Sequence, residues 1–185
     1  MRAALDRLYA AALWLSAACL VTISLLVGVQ LAGRLIDGTL RLVGLEPIGI
    51  VIFSLAEFAG SLLAAASFLA LAGTLKAGVH IRITMLLHAL PERARRVLEL
   101  WAFGAAALFS AYIAWQVTTF AWISFQFSEV SPGVIRFPLW IPQAAMAAGA
   151  IILAVALIDE FFAVLRGHGP SFRASEDAIT LGKAE

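Results

Sequence analysis

Residues 8–33 read LYAAALWLSAACLVTISLLVGVQLAG, a run whose only ionisable side chains are Tyr9 and Cys19. A helix needs about 20 apolar residues to cross the hydrocarbon layer of a bilayer, and this run exceeds that length. In lipid the backbone finds no water for its N–H and C=O groups, so such a run is helical. A secretory signal core is only about 7–15 residues long, so the stretch reads as a retained first membrane helix. Three more stretches repeat the pattern. Residues 48–75 are interrupted by Glu57 alone, while 100–128 and 137–158 carry no charge. The expected spans are 9–33, 48–75, 98–125 and 138–163, within a membrane domain over 1–165 followed by a polar tail over 166–185. The fold class expected is all-α, an integral membrane four-helix bundle.

Composition agrees. The 185 residues are 62% hydrophobic and 14% charged, with mean hydropathy +0.95, whereas soluble domains carry about 25% charged residues. Ten of the thirteen Lys and Arg lie before the first span, between the second and third, or after the fourth. Only Arg34, Arg41 and Arg136 occupy the other two loops. Cytoplasmic loops carry the excess of Lys and Arg, which places both termini and the middle loop in the cytoplasm. Trp and Tyr favour the membrane surface. Tyr9, Trp14 and Trp101 are expected at the cytoplasmic surface and Trp122 and Trp140 at the opposite one, with Tyr112 and Trp115 deeper, in packing roles.

In the middle loop Val79, Ile83, Leu86, Leu87 and Leu90 share one helical face, with Arg82, Thr84 and His88 off it. That is the pattern of an amphipathic helix lying in the interface, between helices 2 and 3. Pro91 ends it, and Arg93, Arg95 and Arg96 lead into helix 3 beside the headgroups. Small residues recur every four positions: Ser24, Gly28 and Ala32; Ala56, Gly60 and Ala64; Ala106, Ser110 and Ala114; Ala144 and Ala148. Such stripes let helices approach closely in lipid, either within the bundle or against a partner.

Chemistry is sparse. Glu57 is the one carboxylate inside a span, and an intramembrane ionisable group is a functional candidate by default. It is either a proton or cation site or a structural pair for an arginine. Glu99, Asp159 and Glu160 read as surface charges. The single Cys19 excludes an internal disulfide and reads as a small packing residue. His80, His88 and His168 lie outside the spans, where none can serve as an axial haem ligand in the bundle. No nucleophile–base pair, phosphate loop or metal-ligand spacing is present. No catalytic residue, cofactor, metal or nucleic-acid partner is expected.

Two segments carry a resemblance. Glu57 leads through Gly73-Thr-Leu-Lys-Ala-Gly-Val-His80-Ile-Arg82-Ile, and Ser131-Pro-Gly is followed by Phe137-Pro-Leu-Trp140-Ile-Pro142-Gln and Gly149. Together they resemble the small membrane subunit, DctQ-like, of tripartite ATP-independent periplasmic (TRAP) transporters, over about residues 5–165. Thr84 departs from that family's frequent acid. Pro138 and Pro142 fall in the first turn of helix 4, where a missing N–H matters least.

The resemblance implies a multi-pass protein of the bacterial inner membrane, a non-catalytic subunit of a sodium-coupled importer of organic anions of dicarboxylate or sugar-acid type. It implies two partners: a large transmembrane transport subunit, which this chain would scaffold, and a periplasmic solute-binding protein. Glu57, Lys76, His80, Arg82, Pro138, Trp140 and Pro142 are the expected interface or anchoring residues. Arg34, Arg41, Glu46, Glu129 and Arg136, with Asp37 among them, are the expected contacts of the binding protein. The alternatives are a self-contained small carrier with Glu57 as its proton site, and an assembly subunit of another membrane complex.

Overall fold

The computed structural model describes residues 2–49, 51–76 and 91–166. Among them are four helices, α1 (Arg2–Leu42), α2 (Leu55–Lys76), α3 (Glu92–Gln126) and α4 (Trp140–Leu165). The four are long and apolar enough to cross a membrane. One isolated antiparallel bridge, Val130 to Pro138, completes the regular structure among these residues. The amphipathic helix expected over 79–90 and the tail beyond Arg166 lie outside the described residues.

α1 is the longest surprise. It runs through Leu42, nine residues past the expected end of the first span. Arg34, Asp37 and Arg41 made that segment look like a loop, but its backbone stays helical up to a glycine signal. Gly44 has φ +78°, its N–H donates to the Arg41 carbonyl, and the Leu45 N–H donates to that of Leu40. These two bonds and the left-handed residue make a Schellman stop.

The covered residues of α1 follow a strict repeat. Leu5, Tyr9, Ala12, Ser16, Cys19, Ile23, Leu26, Gln30, Gly33, Asp37 and Leu40 are buried or half-buried, and every other side chain described from 5 to 42 is exposed. The spacing alternates four and three, which averages 3.5 residues and belongs to a left-handed crossing near about 20°. The seam faces α2. Ser16 Oγ donates to the Ala66 carbonyl at 2.8 Å, and Gly73 sits against the Leu13 side chain.

α4, last in the chain, lies between α2 and α3, and the extensive interfaces are α1–α2, α2–α4 and α4–α3. Gly149 lets α4 approach α2 until it meets the Phe68 backbone. The row draws together at the end where α1 begins and α4 finishes. There Tyr9, Ala72, Leu75, Phe103, Ala107, Ala156, Leu157 and Val164 pack in one core. Toward the other end an apolar groove opens between α1 and α4. Tyr9 belongs to the core at 3% exposure, whereas Trp14 and Trp101 are exposed. Tyr112 and Trp115 are exposed too, so they do not pack against the other described helices.

The small-residue stripes divide. Ser110 and Ala114 are buried inside the row, but Ser24, Gly28, Ala32, Ala56, Gly60, Ala144 and Ala148 are exposed.

Candidate functional site

The residues of interest meet where α2 begins. Ser54, with φ +57°, precedes α2, and its carbonyl accepts from the Glu57 and Phe58 amides. Glu57 therefore occupies the first turn of α2, where exposed N–H groups and the helix dipole favour a carboxylate. It is not deep within a span, because the residues from 45 to 54 form a return segment and α2 starts at Leu55. Ser54 and Glu57 have capping-box spacing, the sequence signal that could have located this helix start.

A short hairpin lies over that turn. Ser131 N–H donates to the Phe137 carbonyl at 2.9 Å and Leu139 N–H to that of Glu129 at 3.0 Å. Three contacts bind the hairpin to α2. The Ser131 hydroxyl donates to the Glu57 carboxylate. The Ile135 N–H donates to Ser54 Oγ at 3.1 Å. The Phe58 and Phe137 rings stack at 4.7 Å. Gly133 lies so close to the Glu57 carboxylate that a Cβ would collide with it. Ser131 is 2% exposed. Within the chain Glu57 thus pairs with a serine hydroxyl.

The rest of the hairpin is tied to α3 and α4. Glu129 accepts from Ser124 Oγ at 2.6 Å. Trp140 meets Phe125 edge-on at 5.5 Å, and Phe125 lies 6.0 Å from Trp122. Pro138 forms the bridge with Val130. Glu57, Pro138, Trp140 and Pro142 are therefore gathered at one end of the row. Lys76 is the last residue of α2, at the opposite end, and His80 and Arg82 lie outside the described residues.

Above this end rises a second element. Past Gly44 the chain turns back along α1, where Asp37 accepts from the Ile48 N–H at 2.8 Å and from the Gly49 N–H. Gln30 accepts from the Ile52 N–H at 2.8 Å. Asp37 and Gln30 belong to the buried seam, so these polar groups fasten the return segment. Arg34, Arg41 and Glu46 on this arm, and Glu129 and Arg136 on the hairpin, are exposed. All five share one end of the molecule, although the Glu129 carboxylate is also engaged by Ser124.

Two other places hold unusual groups. An apolar groove of about 350 Å³ opens where α1 and α4 part, lined by Leu15, Cys19, Phe58, Leu62, Phe137 and Pro142 among others. At the terminal end Glu99 and Glu160 are buried at 7% and 3% exposure, and Asp159 is half-buried, so the surface placement expected for these acids does not hold. Among the described residues no group of three or more His, Cys, Asp or Glu is arranged to hold a metal ion.

A family model described as the DctQ component of tripartite ATP-independent periplasmic transporters matches residues 48–167. It covers the hairpin, the Glu57 turn and α2 to α4. No curated protein and no solved structure matches the chain. The match takes in well over half of the sequence and includes both segments that carried the resemblance, so the chain belongs to the DctQ family, the small membrane component of TRAP transporters.

Proposed function

We propose that this chain is the non-catalytic scaffold of a sodium-coupled, binding-protein-dependent importer of organic anions, of dicarboxylate or sugar-acid type. Its place is the bacterial inner membrane, with both termini cytoplasmic and the hairpin end periplasmic. The large membrane subunit carries the solute, and this chain widens its stationary part. The hairpin, with Glu129 and Arg136, offers a landing surface to the periplasmic binding protein.

The observation that supports this reading most is the open row. Both edge helices, α1 and α3, leave most of their apolar surface uncovered by the other described residues, open to lipid and to a larger membrane partner alike. A scaffold that widens a larger subunit needs such free edges. The rival, a small carrier working through Glu57, draws little support from a carboxylate in a first helical turn under a hairpin.

Reconstitution tests the proposal. Proteoliposomes holding both membrane subunits, given binding protein and a sodium gradient, should accumulate the solute. Liposomes with this chain alone should not, and uptake by the chain alone would overturn the reading.

A further inference from the structure

At the hairpin end the long first helix overshoots the start of α2. At about 1.5 Å per residue, α2 spans about 33 Å, close to the roughly 30 Å hydrocarbon layer, and α1 reaches about 62 Å. The Gln30–Ile52 bond puts Gln30 near the level at which α2 begins. Residues 31–42 then rise about 18 Å higher, and the headgroup layer on one side accounts for only about 5–8 Å of that. A large tilt is no escape, since the seam holds α1 close to parallel with α2.

The part that rises is apolar. Leu31, Leu35, Gly38 and Leu42 form a ridge opposite the seam, spaced four, three and four, and all are exposed. Leu42 is 88% exposed. Leu45 and Ile48 of the return segment add exposed apolar surface. Contiguous apolar patches facing water mark interaction sites, and an aliphatic ridge suits a permanent interface better than a transient one. Arg34 and Arg41 flank the ridge, exposed and with no ion-pair partner among the described residues, so carboxylates on a facing surface would complement them.

We infer that the arm formed by residues 31–48 is a fixed docking post, and that the large membrane subunit covers it with an apolar patch rimmed by acids. The inference rests on the function proposed above and names the surface through which that partner is held. It does not follow from the family match, which begins at residue 48.

The test uses the full chain co-expressed with the large subunit of its own transporter. The double variant L35Q/L42Q changes side chains that the chain itself leaves uncovered, so its helical circular dichroism and melting should equal wild type. Recovery of the large subunit on the tagged variant should fall at least about ten-fold. V134Q, on the exposed hairpin, should leave recovery unchanged. A cysteine at position 42 in a C19A background should react with an impermeant maleimide in spheroplasts lacking the large subunit and be protected when it is present. Wild-type recovery by L35Q/L42Q would overturn the docking post. So would a cysteine at 42 that is unreactive without the partner, equally reactive with it, or protected only by the binding protein. Failure of the wild-type chain to hold any large subunit would overturn the subunit reading, and the post with it.

Discussion

The Ser131 hydroxyl donates to the Glu57 carboxylate, joining the hairpin before α4 to the first turn of α2. Hydrogen bonds to a charged group contribute about 1.5–3 kcal/mol, more than neutral ones. Glu57→Ala should lower stability by about 1–3 kcal/mol and speed hydrogen exchange in the hairpin amides. Glu57→Gln keeps an acceptor for Ser131 and should retain most stability and, in the assembled transporter, transport. Transport lost in Glu57→Gln with its melting point intact would favour the proton-carrier reading instead.

Gly149 meets the Phe68 backbone without a side chain between them. Backbone cannot swing aside as a flexible side chain can. Gly149→Ala should part α2 from α4 and cost about 1–3 kcal/mol, measured by thermal unfolding in detergent. Gly28→Ala is the matched control, because a Cβ there meets nothing within 4 Å. It should be neutral or stabilising by up to about 1 kcal/mol, as alanine favours a helix over glycine. Equal losses at both positions would contradict this packing.

Asp37 holds the return segment through the Ile48 and Gly49 amides. Asp37→Ala should release that segment while leaving the α2–α4 core intact. Limited proteolysis should then cut between residues 44 and 54 faster than in wild type, with the global melting point little changed. Unaltered cleavage would mean that the Gln30–Ile52 bond holds the segment alone.

Ser128 ends α3 in the left-handed region, at φ +49°, with the Glu129 N–H donating to the Ser124 carbonyl. That backbone costs an L-residue about 1–2 kcal/mol. Ser128→Gly should raise stability by about 1 kcal/mol, and Gly44→Ala, at the matching position after α1, should lower it similarly. Both shifts can be read by thermal unfolding. A destabilising Ser128→Gly would show that the serine side chain contributes more than its backbone strain costs.

Much of the architecture is legible in one dimension because the bilayer is a simple solvent. It demands long uncharged runs with internally bonded backbone, so residues 8–33, 48–75, 100–128 and 137–158 announce four helices by composition alone. The family was legible for a related reason. Gly73 to Ile83, and Ser131 to Gly149, are dense in Gly, Pro, Trp and His, residue types placed by local geometry and readable in order.

Charge misled where it met helix ends. Arg34, Asp37 and Arg41 looked like a loop, yet charge by itself does not end a helix, and the chain stays helical up to Gly44. Glu57 looked deeply placed because residues 48–54 are apolar, although they run as a return segment.

The sequence by itself determined that this is a four-helix membrane protein of the DctQ family, since hydropathy and local motifs act along the chain. Tertiary structure alone decided that α4 lies between α2 and α3, that Glu57 pairs with Ser131, and that Leu31, Leu35 and Leu42 are left uncovered. Those outcomes depend on which surfaces meet across tens of residues, and in lipid that choice is made by close packing rather than by the hydrophobicity a sequence displays.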